Sequence, residues 1–296
     1  MTGAGTVGIR TVGVCGAGTM GSGIAIVAAR AGYGVVLHDT QEASLERARR
    51  QTVGFFERSV ERGKMTRDNA DAALAACTAT AVLDDLAACD VVIEAVFESL
   101  DVKRELFGTL NAICPDRTIF ASNTSTLSIT EIAGGCGRED RVVGMHFCLP
   151  AQLMKLVEMS PGLNTSDETF QAAWAFCETL GQRPVKTKDT PGFVLNYFLV
   201  PFNNDAIRLI EAGVAEPADV DRAIKAGLGY KMGPCELLDL IGLDTQVLLC
   251  EAFHGVTHDP RCAAPPLLRR MVAAGHLGRK SGRGFFTYDR DAMYGG

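Results

Sequence analysis

The feature that most constrains this chain is a glycine loop set between a short apolar run and an apolar helical stretch. Thr11 to Cys15 reads Thr-Val-Gly-Val-Cys and is followed at once by Gly16-Ala17-Gly18-Thr19-Met20-Gly21. Ile24, Ile26, Val27 and Ala28 then continue with helical character towards Gly32. Val35, Val36 and Leu37 open a second β-like run that ends at His38 and Asp39. Strand, glycine turn, helix and strand make a βαβ unit, whose strands run parallel.

Each glycine has a mechanical meaning at this spacing. Gly16 permits a tight turn, Gly18 lets backbone approach a pyrophosphate, and Gly21 lets the helix pack closely on the strand. The helix start at Thr19 and Met20 offers N–H groups and a positive dipole end to phosphates. Asp39 stands 18 residues beyond Gly21. A carboxylate there accepts hydrogen bonds from the adenosine ribose hydroxyls and repels a 2′-phosphate, so the expected cofactor is NAD rather than NADP.

The alternation continues along the chain. A polar helical stretch spans roughly residues 42–62, and an Ala-rich segment runs on to Cys77. Strand candidates follow at residues 91–93, 118–122, 142–145 and 156–159, with a helix expected over 100–113. Strands separated by helices predict a doubly wound sheet covered on both faces. After Asp189-Thr190-Pro191-Gly192 the apolar residues take helical spacing, with turn signals at Gly213, Pro217, Gly229, Pro234 and Pro265-Pro266. No strong strand run is expected there before Phe285 and Phe286. The expected class is therefore α/β: a Rossmann-type NAD-binding domain over residues 1–190, then an all-α domain over residues 191–296. The glycines within residues 3–8 are expected to belong to a frayed terminus.

Composition narrows the function classes. With 296 residues, 47% hydrophobic and 22% charged, the chain has enough apolar material for its cores without a disulfide or metal staple. A net charge of −6 argues against a nucleic-acid partner. The ten cysteines are scattered singly, which points to reduced thiols in a cytoplasmic protein and no metal site. No secretory leader and no apolar run of membrane-spanning length is evident, so no membrane partner is expected. His254 and His258 are four apart, but Gly255, Thr257, Asp259 and Pro260 argue against a continuous helix, and both are read as surface residues.

Several further motifs, in one order, resemble the 3-hydroxyacyl-CoA dehydrogenase family, which includes the 3-hydroxybutyryl-CoA dehydrogenases. They are the Gly16–Ala25 segment, Ile93-Glu94-Ala95-Val96-Phe97-Glu98, Ser122-Asn123-Thr124-Ser125, His146-Phe147 and Lys155-Leu156-Val157-Glu158. Asp189 through Asn196, Gly233-Pro234 and Gly282-Arg283-Gly284-Phe285-Phe286 complete the series, so the resemblance covers nearly the whole chain. It implies an NAD-dependent oxidoreductase of fatty acid metabolism that oxidises an (S)-3-hydroxyacyl-CoA thioester reversibly to the 3-oxoacyl-CoA. It implies His146 as general base, Glu158 as its orienting partner, Ser125 on the reacting oxygen, and Asn196 holding substrate and developing charge. Ala95, Glu98, Lys103 and Lys280 match family positions near NAD, and the helical domain implies a homodimer.

Chemistry favours the same histidine. Oxidising an alcohol removes a hydroxyl proton while a hydride leaves carbon, and a base that titrates near neutrality suits the task. A carboxylate on the second ring nitrogen fixes the tautomer and stabilises the imidazolium. Taken singly, Ser125 is equally a helix cap, Asn196 an ordinary helix residue, and Lys103 or Lys280 a solvated lysine.

One segment departs from the family. His146-Phe147-Cys148-Leu149-Pro150 places Leu149 where the family has an asparagine beside nicotinamide and substrate, and Gln152 is the residue that would return an amide. Arg47, Arg49, Arg50, Arg58 and Arg62 make a basic helix suited to an anionic carrier, with no individual CoA ligand assigned. Two alternatives stand beside the CoA reading: the same chemistry on a group tethered to acyl carrier protein, and a catalytically silent NAD-binding protein.

Overall fold

The computed structural model describes residues 8–289; residues 1–7, with most of the N-terminal glycines, and 290–296 lie outside the described residues. The chain divides into two compact units, Met1–Thr190 and Pro191–Gly296.

The first unit opens with β1 (Thr11–Cys15), α1 (Thr19–Arg30), β2 (Gly34–His38), α2 (Glu42–Glu61), α3 (Arg67–Ala75) and β3 (Cys77–Thr80). It continues with β4 (Val91–Glu94), α4 (Leu100–Ile113), β5 (Ile119–Ser122), α5 (Ile129–Ala133) and β6 (Val142–Phe147). It ends with β7 (Leu156–Pro161), α6 (Asp167–Thr179) and β8 (Arg183–Lys186). The strands form one sheet in the order β3-β2-β1-β4-β5-β6-β7-β8. β1 to β6 are mutually parallel, as in a Rossmann-type sheet, and the strand order reverses between β1 and β4.

Both faces of this sheet are covered, which explains the continuous apolar runs. Val91 and Ile93 pack in the core that includes Val12, Val14 and the α1 residues Ile24 and Val27. Val92, pointing the other way, packs with Phe107 of α4 and Phe120 of β5. Alternate residues of a strand point to opposite faces, so a doubly covered strand needs apolar residues throughout. Thr66, Ser128 and Ser166 begin α3, α5 and α6 by accepting a hydrogen bond from the third helical N–H.

Three expectations require correction. β7 does not follow a helix: it returns antiparallel to β6, pairing His146 with Glu158 directly across the ladder. His146 thus lies inside β6 rather than just past it. β3 and β8, which the sequence pattern did not reveal, are four-residue strands at the two sheet edges, mostly unburied, and so lack an apolar run.

The second unit contains α7 (Leu195–Glu211), α8 (Pro217–Leu228), α9 (Pro234–Ile241), α10 (Leu243–Thr257) and α11 (Pro266–Ala273). Val200, Ile207, Leu238, Leu243, Phe253 and Leu268 form its core. Three of these helices carry proline in their first turn, where a missing N–H breaks no helical bond. Phe285 and Phe286 form no strand; their N–H groups donate to the two oxygens of buried Asp239, 2.9 Å each, and isolated bridges flank them. The helix also persists through His254 to Thr257, because Asp259 and Pro260 fall beyond its end and His258 takes a left-handed cap at φ 53°. Both histidines are exposed. Among the described residues no helix is long and apolar enough to cross a membrane, and no group of three or more His, Cys, Asp or Glu residues is placed to hold a metal.

Candidate active site

The glycine loop links β1 to α1 at the carboxyl end of the sheet, beside the point where strand order reverses, which is where open α/β sheets bind ligands. Gly16 has φ +100°, and a Cβ there would lie 2.5 Å from the Ala95 carbonyl oxygen. At Gly21 a Cβ would come within 1.7 Å of the Gly16 carbonyl oxygen, so α1 sits against the loop with no room for a side chain. Gly18 faces open space and caps α1 without a side-chain hydrogen bond. Thr19 and Met20 form the first helical positions after it, Thr19 exposed and Met20 half-buried.

Asp39 follows directly on β2. Its Oδ2 accepts a hydrogen bond from Ala17 N at 2.7 Å and its Oδ1 from Gln41 N at 2.8 Å. Gly16, Gly18, His38, Asp39, Ala95 and Val96 line a cleft of about 770 Å³, within the size range of cofactor sites. Burial holds the His38 imidazole below its usual pKa, against the opposing pull of neighbouring Asp39. A helix start without a side-chain cap, an open Gly18 and an acid at the next strand end fit a dinucleotide pyrophosphate and ribose.

The opposite side of the cleft is built by the β4 end. Glu94 is fully buried; its Oε1 accepts hydrogen bonds from Val96 N at 2.8 Å and Lys103 Nζ at 2.5 Å. Ser122 Oγ donates to its Oε2 at 2.6 Å. Lys103, which the sequence alone leaves as a solvated lysine, is 1% exposed and also pairs with Glu98 Oε2 at 3.1 Å. Burial pushes the Glu94 carboxyl above its usual range. At Glu98 burial acts the same way, but Lys103 and the hydroxyls of Thr124 and Thr126 outweigh it and hold the carboxyl below that range.

His146 and Glu158 face each other across the β6–β7 ladder. His146 Nδ1 lies 2.9 Å from Glu158 Oε2, with the histidine 8% and the glutamate 1% exposed. The loop after β5 is fastened to the same strand, since Phe147 N donates to Asn123 Oδ1 at 2.9 Å. Ser125 lies in that loop. It is Ser128, not Ser125, that caps α5. Asn123 and Glu94 received no role from the sequence, although both fall inside the motifs that carried the resemblance.

Other expected residues are placed differently. Asn196 belongs to the second unit, in the first turn of α7, with its N–H donating to Gly192 O at 3.1 Å. Lys280 also belongs to that unit and pairs with Asp244 at 2.6 Å. Leu149 is 37% exposed. Gln152 is half-buried, and its Oε1 would lie 2.7 Å from a Cβ added to Gly23 of α1.

Comparison with known proteins settles the relationship. The model of the 3-hydroxyacyl-CoA dehydrogenase NAD binding domain matches residues 11–190, and that of the family's C-terminal domain matches residues 192–288. The chain belongs to the 3-hydroxyacyl-CoA dehydrogenase family. It is 44% identical over 285 residues to a probable 3-hydroxybutyryl-CoA dehydrogenase of Bacillus subtilis, covering 95% of this chain and 98% of that one. The crystal structure of Mycobacterium tuberculosis FadB2 superposes with a TM-score of 0.92 at 43% identity, covering 95% of this chain and 99% of that chain. That of (S)-3-hydroxybutyryl-CoA dehydrogenase from Ralstonia eutropha gives 0.88 at 41% identity, covering 95% and 100%. As a member of this family the chain is an oxidoreductase, with NAD as its cofactor.

Proposed function

We propose that this protein interconverts (S)-3-hydroxyacyl-CoA and 3-oxoacyl-CoA, with His146 as general base. The observation that carries the reading is the buried His146–Glu158 pair, formed across β6 and β7 at the carboxyl end of the sheet that also bears the glycine loop.

In the oxidative direction His146 Nε2 takes the proton of the 3-hydroxyl group. Glu158 holds Nδ1–H, so Nε2 is the basic nitrogen, and the carboxylate stabilises the imidazolium that forms. Ser125 donates to the reacting oxygen, and Asn196 of the helical unit supports the substrate and its developing charge. The hydride from C3 passes to the nicotinamide ring, which is the chemistry NAD supplies when bound. Gly16, Gly18 and Gly21, with Thr19 and Met20, seat the pyrophosphate; Asp39 takes the ribose hydroxyls. Ala95 forms part of the wall beside them. The resemblance also gives Lys280 a role towards the cofactor. The helical unit serves substrate binding and dimerisation, and the enzyme works in the cytoplasm as a homodimer.

The test is consumption of NADH with acetoacetyl-CoA, compared with an acetoacetyl group on acyl carrier protein. Faster turnover of the CoA thioester supports the proposal. Turnover on the carrier protein alone would transfer the same chemistry to a tethered substrate. No turnover with either, while NADH still binds, would mark a silent binding protein.

A further inference from the structure

The loop that carries Ser125 runs on into α5, and the start of α5 is held by a residue far along the chain. Asp189, next to the end of the first unit, accepts four hydrogen bonds from three consecutive residues there. Ile129 N donates to its Oδ1 at 2.7 Å, while Ser128 Oγ, Thr130 N and Thr130 Oγ1 donate to its Oδ2 at 2.8, 2.8 and 2.6 Å. Ser128 Oγ accepts from Glu131 N at 3.2 Å, which leaves its own proton for Asp189. Both carboxylate oxygens are thus engaged by the first turn of α5.

The same three residues rest on the strands that carry His146 and Glu158. Ile129 is fully buried, and a Cβ on Gly144 of β6 would meet its side chain at 2.9 Å. A Cβ on Gly162, directly after β7, would lie 3.2 Å from Thr130 N and 3.3 Å from Ile129 Cγ2. Thr130 Oγ1 accepts from Leu163 N at 2.8 Å while it donates to Asp189. The start of α5 is therefore fastened on both sides, by Asp189 and by the ends of the β6–β7 ladder. The upstream end of the Ser125 loop is tied to β6 by Asn123, which accepts from Phe147 N. Its downstream end is this anchored turn, beginning at Ser128.

We infer that Asp189 is a positioning residue: it fixes the downstream end of the Ser125 loop on β6 and β7, and so sets the Ser125 hydroxyl relative to His146. That role presupposes Ser125 on the reacting oxygen and His146 as the base. Hydride transfer tolerates little misplacement, and a shift of about 1 Å in a positioned group can cost on the order of a hundredfold in rate. A carboxylate suits the task because all four of its partners are donors. Charge-assisted hydrogen bonds are about twice as strong as neutral ones, and an amide in its place would turn an N–H towards one of those donors.

The test is a double-mutant cycle of Asp189→Asn with Ser125→Ala, run with acetoacetyl-CoA and NADH well below the melting temperature of each variant. Asp189→Asn keeps the side-chain size and removes the charge. In the parent background kcat should fall roughly tenfold, with the NADH Kd, read by fluorescence titration, changing less than about threefold. The pH dependence of kcat, which reports the base, should keep its midpoint. In the Ser125→Ala background the same substitution should cost no more than about twofold, since the group it positions is gone. Thr130→Val removes the hydroxyl between Asp189 and Leu163 and leaves the carboxylate in place. It should show the same pattern with a smaller loss, and it serves where Asp189→Asn does not fold. A lowered melting temperature with parental kcat would make Asp189 a purely structural anchor and overturn the inference. Equal losses in both backgrounds would overturn it too. Parental activity of Ser125→Ala, or no turnover by the parent protein, would instead defeat the proposed reaction roles, and with them the premise.

Discussion

His146 and Glu158 are direct cross-strand partners on antiparallel β6 and β7, with imidazole Nδ1 2.9 Å from carboxylate Oε2. The pairing is set by main-chain register rather than by a loop, so backbone hydrogen bonds fix the geometry of the pair. Replacing Glu158 by Gln keeps the volume of a side chain that is 1% exposed but removes the charge facing the ring. In the proposed mechanism kcat falls about 10²–10⁴-fold while KM for the thioester changes little. Steady-state kinetics on the folded variant check this, and an unchanged kcat would show that Glu158 only packs the strand.

Gly21→Ala tests the loop. The new methyl group would sit 1.7 Å from the Gly16 carbonyl oxygen, which must move, and with it the turn at φ +100°. Overpacking of this kind costs about 1–3 kcal/mol. The expected outcome is a lowered melting temperature together with loss of NADH affinity. A variant that binds NADH like the parent would contradict the tight packing of α1 on the loop.

Asp39→Asn removes the charge that should exclude a 2′-phosphate and weakens the bond to Ala17 N, 2.7 Å in the parent. KM for NADH should rise about tenfold, the order of one weakened charged hydrogen bond, and the preference for NADH over NADPH should shrink. Measuring both cofactors on one preparation decides it; an unaltered preference would move the discrimination elsewhere.

The thiols predict the alkaline limit of stability. Burial pushes Cys148 and Cys177 up to about 12 and Cys77 up to about 11. An unfolded thiol ionises near pH 8.5. Above that, the unfolded chain releases protons that the folded chain keeps. The thiol contribution is therefore complete below about pH 8.5 and is lost as pH climbs towards 11 and 12. Each such group costs roughly 1.4 kcal/mol per pH unit within the window. The urea midpoint should fall between pH 8.5 and 10.5, and less steeply in Cys177→Ala. A midpoint independent of pH would oppose the account.

The sequence was most legible where chemistry and spacing coincide. The Gly16–Gly21 loop, Asp39 and the apolar strands β1, β4 and β5 are each bound to one local geometry, and each can be read from its own segment. The antiparallel return of β7 was not legible, because the sheet positions of β6 and β7 are joined by a loop whose composition does not encode strand direction. β3 and β8 escaped because edge strands need no continuous apolar run. The burial of Lys103, a residue that the resemblance had already set near NAD, escaped for a different reason. Only the fold brings Glu94 and Glu98 around it, and a lysine on a helix otherwise reads as solvated. The same holds for Asp239, whose hold on the backbone of Phe285 and Phe286 replaces the expected strand.

The most direct measurement is NADH consumption with acetoacetyl-CoA by the parent and by His146→Ala, with NADH binding measured on both. General base catalysis contributes about 10²–10⁴-fold. The account predicts brisk turnover in the parent, a loss of that order in the variant, and equal NADH affinity in both. A variant as active as the parent would contradict the assignment of His146 as the base.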